Sequence, residues 1–174
     1  MALKYALKNY TTNMARTFGK DLAISTRDSI EIADTLRGMD VTKAIKEMEL
    51  VKQMKKPIVY RKRASVPHKK GYGPAKYPIK CADAFAKLLK QVQANAQVRG
   101  LNAEKLEIIH INATVANRNY HYGRRRGIKT KATHIQIVVA ESSKSKQKEK
   151  KTKQEKPKQD KKEQDKPNEQ GNKK

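Results

Sequence analysis

Two stretches of the chain gather side chains that can grip phosphate and stack on bases. The first is Asn117-Arg-Asn-Tyr-His-Tyr-Gly-Arg-Arg-Arg-Gly127. Arg118, Arg124, Arg125 and Arg126 offer planar forks that match phosphate oxygens. Tyr120 and Tyr122 offer stacking faces, and Lys129 and Lys131 extend the charge. The second runs from Lys55 and Lys56 through Arg61, Lys62 and Arg63 to His68, Lys69 and Lys70, then Tyr72, Lys76 and, just beyond, Lys80. Five of the seven tyrosines lie in these two stretches, which predicts contact surfaces rather than core. Between Glu49 and Asp83 there is no carboxylate against ten Lys/Arg, and between Glu107 and Glu141 there is again none against six. A solvated face normally mixes signs, so exclusion of acid over such spans points to phosphate contact. Arg16, Lys20 and Arg27 are further candidates near the N-terminus. The plain alternative for either stretch is a flexible, solubilising loop.

Other chemistries find little support. The chain has no Walker A loop, and Gly71-Tyr-Gly73 lacks the third glycine and the preceding strand of a dinucleotide fingerprint. The four histidines (68, 110, 121, 134) have no metal-ligand spacing. His110 and His134 could face one another across a hairpin, and read as paired, hydrogen-bonded strand residues rather than ligands. Cys81, the single cysteine, excludes a disulfide framework and lies on an apolar helix stripe, as a small core residue would. The expectation is therefore no catalytic residue, no cofactor, no metal and no small-molecule substrate. An RNA-modifying enzyme would need an acid/base pair beside the basic loops, where carboxylates are missing. A basic DNA binder fits the charge, but a long basic tip suits folded RNA better than a duplex groove.

The elements that must position these residues follow from periodicity. Asp21 to Ile24 reads as a short strand. Ser25 caps a helix with Asp28 three residues on, Ile32, Ala33, Leu36 and Met39 share a face, and Gly38 ends it. Asp40 caps a second helix, with Val41, Ala44, Ile45, Met48 and Val51 on one face and Pro57 beyond. Residues 55–77 show no clean period and read as an irregular basic loop. A third, longer helix starts near Pro78 and carries Cys81, Phe85, Leu88, Leu89, Val92 and Ala96 as far as Gly100. Asn102 caps one more short turn. Residues 106–116 then alternate, with Ile109, Ile111, Ala113 and Val115 on one face and His110, Asn112 and Thr114 on the other; residues 131–140 match with Ile135, Ile137 and Val139. This predicts an α+β fold: three helices on a small antiparallel sheet, with a long hairpin over about residues 106–140. At about 3.3 Å per residue the arm outreaches any core the chain can build.

Charge divides the sequence. The 174 residues carry 41 Lys/Arg and 17 Asp/Glu, net +24, with a pI of about 10.1. Residues 142–174 hold 13 Lys and 6 acids, with no Arg and no aromatic, and are expected to be a disordered, Lys-rich tail. Residues 1–141 keep all ten Arg and are expected to form the single globular unit. No apolar run approaches the roughly 20 residues of a membrane span, so no membrane partner is expected.

The order helix, helix, long helix, extended hairpin resembles a universal large-subunit ribosomal protein family, called L-twenty-two in bacteria and L-seventeen in the older eukaryotic naming. The matching stretches are Thr26-Arg27 through Leu36, Gly38 and Met39; Pro78 to Ala82 through Leu88-Leu89; Asn95-Ala96 and Gly100-Leu101; His110-Ile111; and Thr133 to Ile135 through Ala140-Glu141. The insert 54–77 resembles the archaeal and eukaryotic branch. The resemblance covers residues 1–141. It implies a structural, cytoplasmic ribosomal protein whose partners are large-subunit ribosomal RNA, neighbouring ribosomal proteins and, at a hairpin tip in the wall of the peptide exit tunnel, the nascent polypeptide. Arg118 to Arg126 would form that tip. The proline that the family usually carries soon after the first long strand is absent here, where Thr114-Val-Ala116 stands.

Overall fold

The computed structural model describes residues 5–62 and 65–142. The expectation of disorder for the tail, and the candidate Arg63, lie outside the described residues.

Three helices form where the periodicity placed them. Helix α1 spans Thr26–Leu36, and the Ser25 side chain accepts from the Asp28 N–H at 3.4 Å. Gly38 follows at φ +77°, a conformation that suits glycine. Helix α2 spans Val41–Lys52; Asp40 stands at its N-cap, but its carboxylate pairs with Lys43 instead of capping a backbone N–H. Helix α3 spans Ile79–Val98, with Pro78 just ahead of its first residue. Its buried stripe, Phe85, Leu89, Val92 and Ala96 among others, packs on α2 and on the sheet. Asn102 caps a short turn by accepting from the Glu104 N–H at 3.1 Å.

The main sheet has the order β1-β6-β5, all antiparallel, with β1 at Met14–Leu22, β5 at Leu106–Val115 and β6 at Thr133–Glu141. The architecture is the expected α+β one, but several local expectations are corrected. Strand β1 starts seven residues before Asp21 and stops short of Ile24. Its buried face is Ala15, Thr17 and Gly19, too small and polar to register as an apolar alternation. Gly19 lets β1 lie close to α3: a Cβ there would stand 2.9 Å from Leu88 Cδ1.

In β5 a bulge between Ile108 and His110 shifts the register. An extra residue reverses the faces of everything on one side of it. The buried set is therefore Leu106, Ile108, Ile111 and Ala113, whereas Ile109 and Val115 are exposed. His110 and His134 do not face each other, because His110 pairs with Val138 and His134 with Thr114. His134 Nδ1 instead accepts from the Asp21 N–H at 3.1 Å, and its ring lies 5.5 Å from that of Phe18.

Residues 55–77 are more regular than expected. Strands β2 (Ile58–Val59), β3 (His68–Lys69) and β4 (Gly73–Lys76) form a second antiparallel sheet in the order β2-β4-β3. Strands of two to four residues carry no readable period, and the Gly and Pro that read as loop residues sit within the pairing, Pro74 opposite His68. The sheet is anchored by Tyr60, 1% exposed, whose hydroxyl donates to Asp28 Oδ1 at 2.8 Å. Tyr60 is thus a core residue and not a surface contact. Burial, with Asp28 alongside, pushes its phenol pKa far up.

Candidate nucleic-acid interface

The hairpin tip is held by its own backbone. Strands β5 and β6 pair as far as Val115 and Thr133, and the Ala116 N–H donates to Ala132 O at 3.1 Å. Past a short unpaired interval, Tyr120 bridges to Lys129, the His121 N–H donates to Ile128 O at 2.9 Å, and the Thr130 N–H donates to Asn119 O at 2.8 Å. A 3-10 turn at Gly123–Arg125 closes the end, with Gly123 at φ +63°. From this frame Arg118, Arg124, Arg125, Arg126, Lys129 and Lys131 project exposed. Among the described residues none of these six is ion-paired to a carboxylate. Tyr122 is 93% exposed. Tyr120 is also exposed, and the Lys129 ammonium stands 4.9 Å from its ring centroid. Ile128 is an exposed apolar residue at the same end that the charge pattern did not single out.

The basic residues around the second sheet are differently placed. Lys56 pairs with Glu47 and Lys62 with Asp34, both at 2.5 Å, and Lys76 reaches Asp28 at 3.5 Å. The carboxylates come from α1 and α2, so a stretch free of acid in sequence is not free of it in space. The Arg27 guanidinium donates to Ser65 O at 3.2 Å and ties the insert to α1. The Lys69 ammonium lies 5.5 Å from the Tyr77 ring centroid. Lys55, Arg61, His68, Lys70, Tyr72 and Lys80 are exposed.

Near the N-terminus Lys20 and Arg16 are both exposed, but Arg16 also has partners within the chain. Its guanidinium stacks between Tyr5 and Tyr10, 4.6 and 4.5 Å from their centroids. Arg99, which sequence reasoning did not pick, continues the ladder 5.0 Å from Tyr10 and donates to Met14 O at 2.9 Å. An Arg one residue past a helix end is the only signal that could have found it.

Among the described residues no three His, Cys, Asp or Glu cluster as a metal site. Burial pushes the Cys81 thiol pKa up, away from the reactive thiolate. No helix among the described residues is long and apolar enough to cross a membrane. What the arrangement can do is bind polyanion, with a projecting tip of unpaired cations and exposed aromatic rings.

Comparison with known proteins gives the family. Residues 17–140 match the family described as Ribosomal protein L22p/L17e. The chain is 37% identical over 144 residues to the large ribosomal subunit protein uL22 of Picrophilus torridus, covering 79% of this chain and 96% of that protein. It is 34% identical over 148 residues to uL22 of Methanocaldococcus jannaschii, covering 80% and 95%. To uL22B of Schizosaccharomyces pombe it is 31% identical over 145 residues, covering 77% and 78%.

Proposed function

The chain belongs to the Ribosomal protein L22p/L17e family, and from that premise we propose that it enters the large ribosomal subunit by gripping ribosomal RNA with its tip and second sheet. As a member of the family it is a structural protein of the large subunit and not an enzyme. The finer reading assigns its parts. Residues 1–141 are the ribosomal unit, seated among neighbouring ribosomal proteins of the cytoplasmic ribosome. The tip, Arg118 to Arg126, lies in RNA at the wall of the nascent-peptide exit tunnel and meets the growing chain. The exposed Arg and Lys of the tip and insert neutralise phosphates, while Tyr120, Tyr122 and Tyr72 stack. The Lys-rich tail adds weak, non-specific attraction.

The observation that carries this reading is the tip: six cations with no carboxylate partner among the described residues, on an ordered frame beyond the core. In water such a cluster repels itself; against phosphates each cation releases a counterion. The test is sedimentation of tagged protein from cells, with the tip Arg124, Arg125 and Arg126 replaced by Ala in a parallel strain. Wild type should co-migrate with large subunits, and chemical probing should show the rRNA around the tip protected. Loss of that protection in the triple variant supports the reading; an unchanged pattern defeats it.

A further inference from the structure

A cavity of about 520 Å³ lies between α1, the end of α2 and the second sheet, within the usual size of ligand clefts. Its walls carry three carboxylates, Glu31, Asp34 and Glu47, and four cations, Arg37, Lys56, Arg61 and Lys62. Two of the carboxylates are already neutralised: Glu47 by Lys56, and Asp34 by Lys62 and by Arg37 at 3.3 Å. Glu31 is not. It is 3% exposed, and its Oε2 accepts the Arg61 backbone N–H at 3.1 Å. Its Oε1 is shielded from water and has no hydrogen-bond partner, and none of the ion pairs among the described residues involves it. A buried carboxylate oxygen without a donor is a costly state that an incoming donor relieves.

We propose that this cavity takes the base of an unpaired guanosine from RNA, with the Glu31 carboxylate accepting from its N1–H and N2–H. The inference rests on the RNA-binding reading above. Guanine is the only one of the four bases whose Watson–Crick edge presents two adjacent N–H donors, and unpaired bases are read at that edge. Oε1 and the second lone pair of Oε2 supply the two acceptors. The base is neutral, and three of the four wall cations, Lys56, Lys62 and Arg37, are already paired with Glu47 and Asp34, which leaves Arg61 to meet a flanking phosphate. An arginine side chain offers a similar fork but adds a positive charge to a wall whose four cations already outnumber its three carboxylates. Tyr72, half exposed on the wall, supplies a stacking face. Entry requires the exposed side chains of Arg61 and Lys62 to swing outward.

The test uses the full chain and a short oligouridylate with one central guanosine, compared with strands carrying inosine, which lacks the N2 amino group, or adenosine. Anisotropy at fixed salt should show the guanosine strand bound about tenfold tighter than the adenosine strand, with inosine between them. Glu31→Gln keeps an acceptor for the Arg61 N–H, so the fold stands, and it should erase the preference without changing the salt dependence. Tyr72→Ala, at an exposed position, should weaken the guanosine and adenosine strands alike, by about tenfold. Equal affinity for all three strands, with steep salt dependence intact, overturns the pocket and leaves the RNA-binding reading standing. Loss of binding to every strand defeats both. Preference for an arginine-rich peptide that Glu31→Gln abolishes assigns the cavity to a protein partner and overturns the proposal.

Discussion

The hairpin tip and the insert between α2 and α3 look alike as text and differ as objects. Both are rich in Arg, Lys, Tyr and Gly, and neither contains an acid. In the insert, helices α1 and α2 lie close enough to lend Asp28, Asp34 and Glu47, and Tyr60 is drawn into the core. At the tip no carboxylate among the described residues pairs with a cation. Sign exclusion along a sequence reports a free charge only where the chain has left the body. Part-exposed pairs such as Lys62 with Asp34 are screened only in part by water, so the cations of the insert are free for phosphate only when their pairs open, whereas those of the tip are free from the start.

The contrast breaks most visibly at Tyr60. Tyr60→Ala should cost about 3–5 kcal/mol in urea unfolding, the usual range for emptying a buried aromatic site. Equal replacement of Tyr122 should leave stability within about 0.5 kcal/mol. If both variants unfold alike, the insert is not anchored as described.

Replacing Arg124, Arg125 and Arg126 by Ala comes next. Stability should hold within about 0.5 kcal/mol, while the slope of log affinity against log salt should fall by about two to three. A slope that does not move would mean that the tip arginines make no phosphate contact.

Asp34→Asn should act in the opposite sense and more weakly. It releases Lys62 and Arg37 at a stability cost below about 1 kcal/mol. RNA affinity at low salt should rise. Weaker binding would show that Asp34 organises the insert rather than masking it.

The smallest effect sharpens the comparison along the hairpin itself, root against tip. His110, at the β5 bulge, has its pKa lowered, first by burial and then by Arg37. The neutral ring is thus favoured on folding, and the unfolded chain binds the proton more readily. Stability should be full above the ordinary histidine value of about 6.5 and decline as pH falls through it. His110→Gln should flatten the part of the decline between pH 7 and 5 that this residue causes, as read by thermal melts. An unchanged pH profile would remove His110 from the account.

What could be read from sequence follows the same division. The stripes of α1, α2 and α3 were legible because each repeats over three turns or more. Strand β1 was not, because Ala15, Thr17 and Gly19 bury a face without large apolar groups. The bulge at Ile109 was invisible because nothing in Leu106 to Val115 marks where the alternation slips. Of the candidate site residues, the tip cations stand exposed as expected. Arg16 and Lys56 have partners close in sequence, Tyr5, Tyr10 and Glu47, but no helix or strand period links them; Lys62 and Lys76 pair with Asp34 and Asp28, which no local window contains.

The bridge between Tyr120 and Lys129, with the His121 and Thr130 hydrogen bonds around it, bears on the timing of association. A basic arm that arrived as random coil would have to surrender about 1–2 kcal/mol of backbone entropy for every residue it fixed on RNA. This arm arrives already folded back on itself. Most of that loss has been met by its own amides before any nucleotide is in sight, and binding energy is left over for holding on. A partner that takes up such an arm must admit it whole, as a rigid probe. Amide exchange at His121 and Thr130 in the free protein should therefore be slower than at Arg118, and assembly should place this protein before the surrounding RNA has closed.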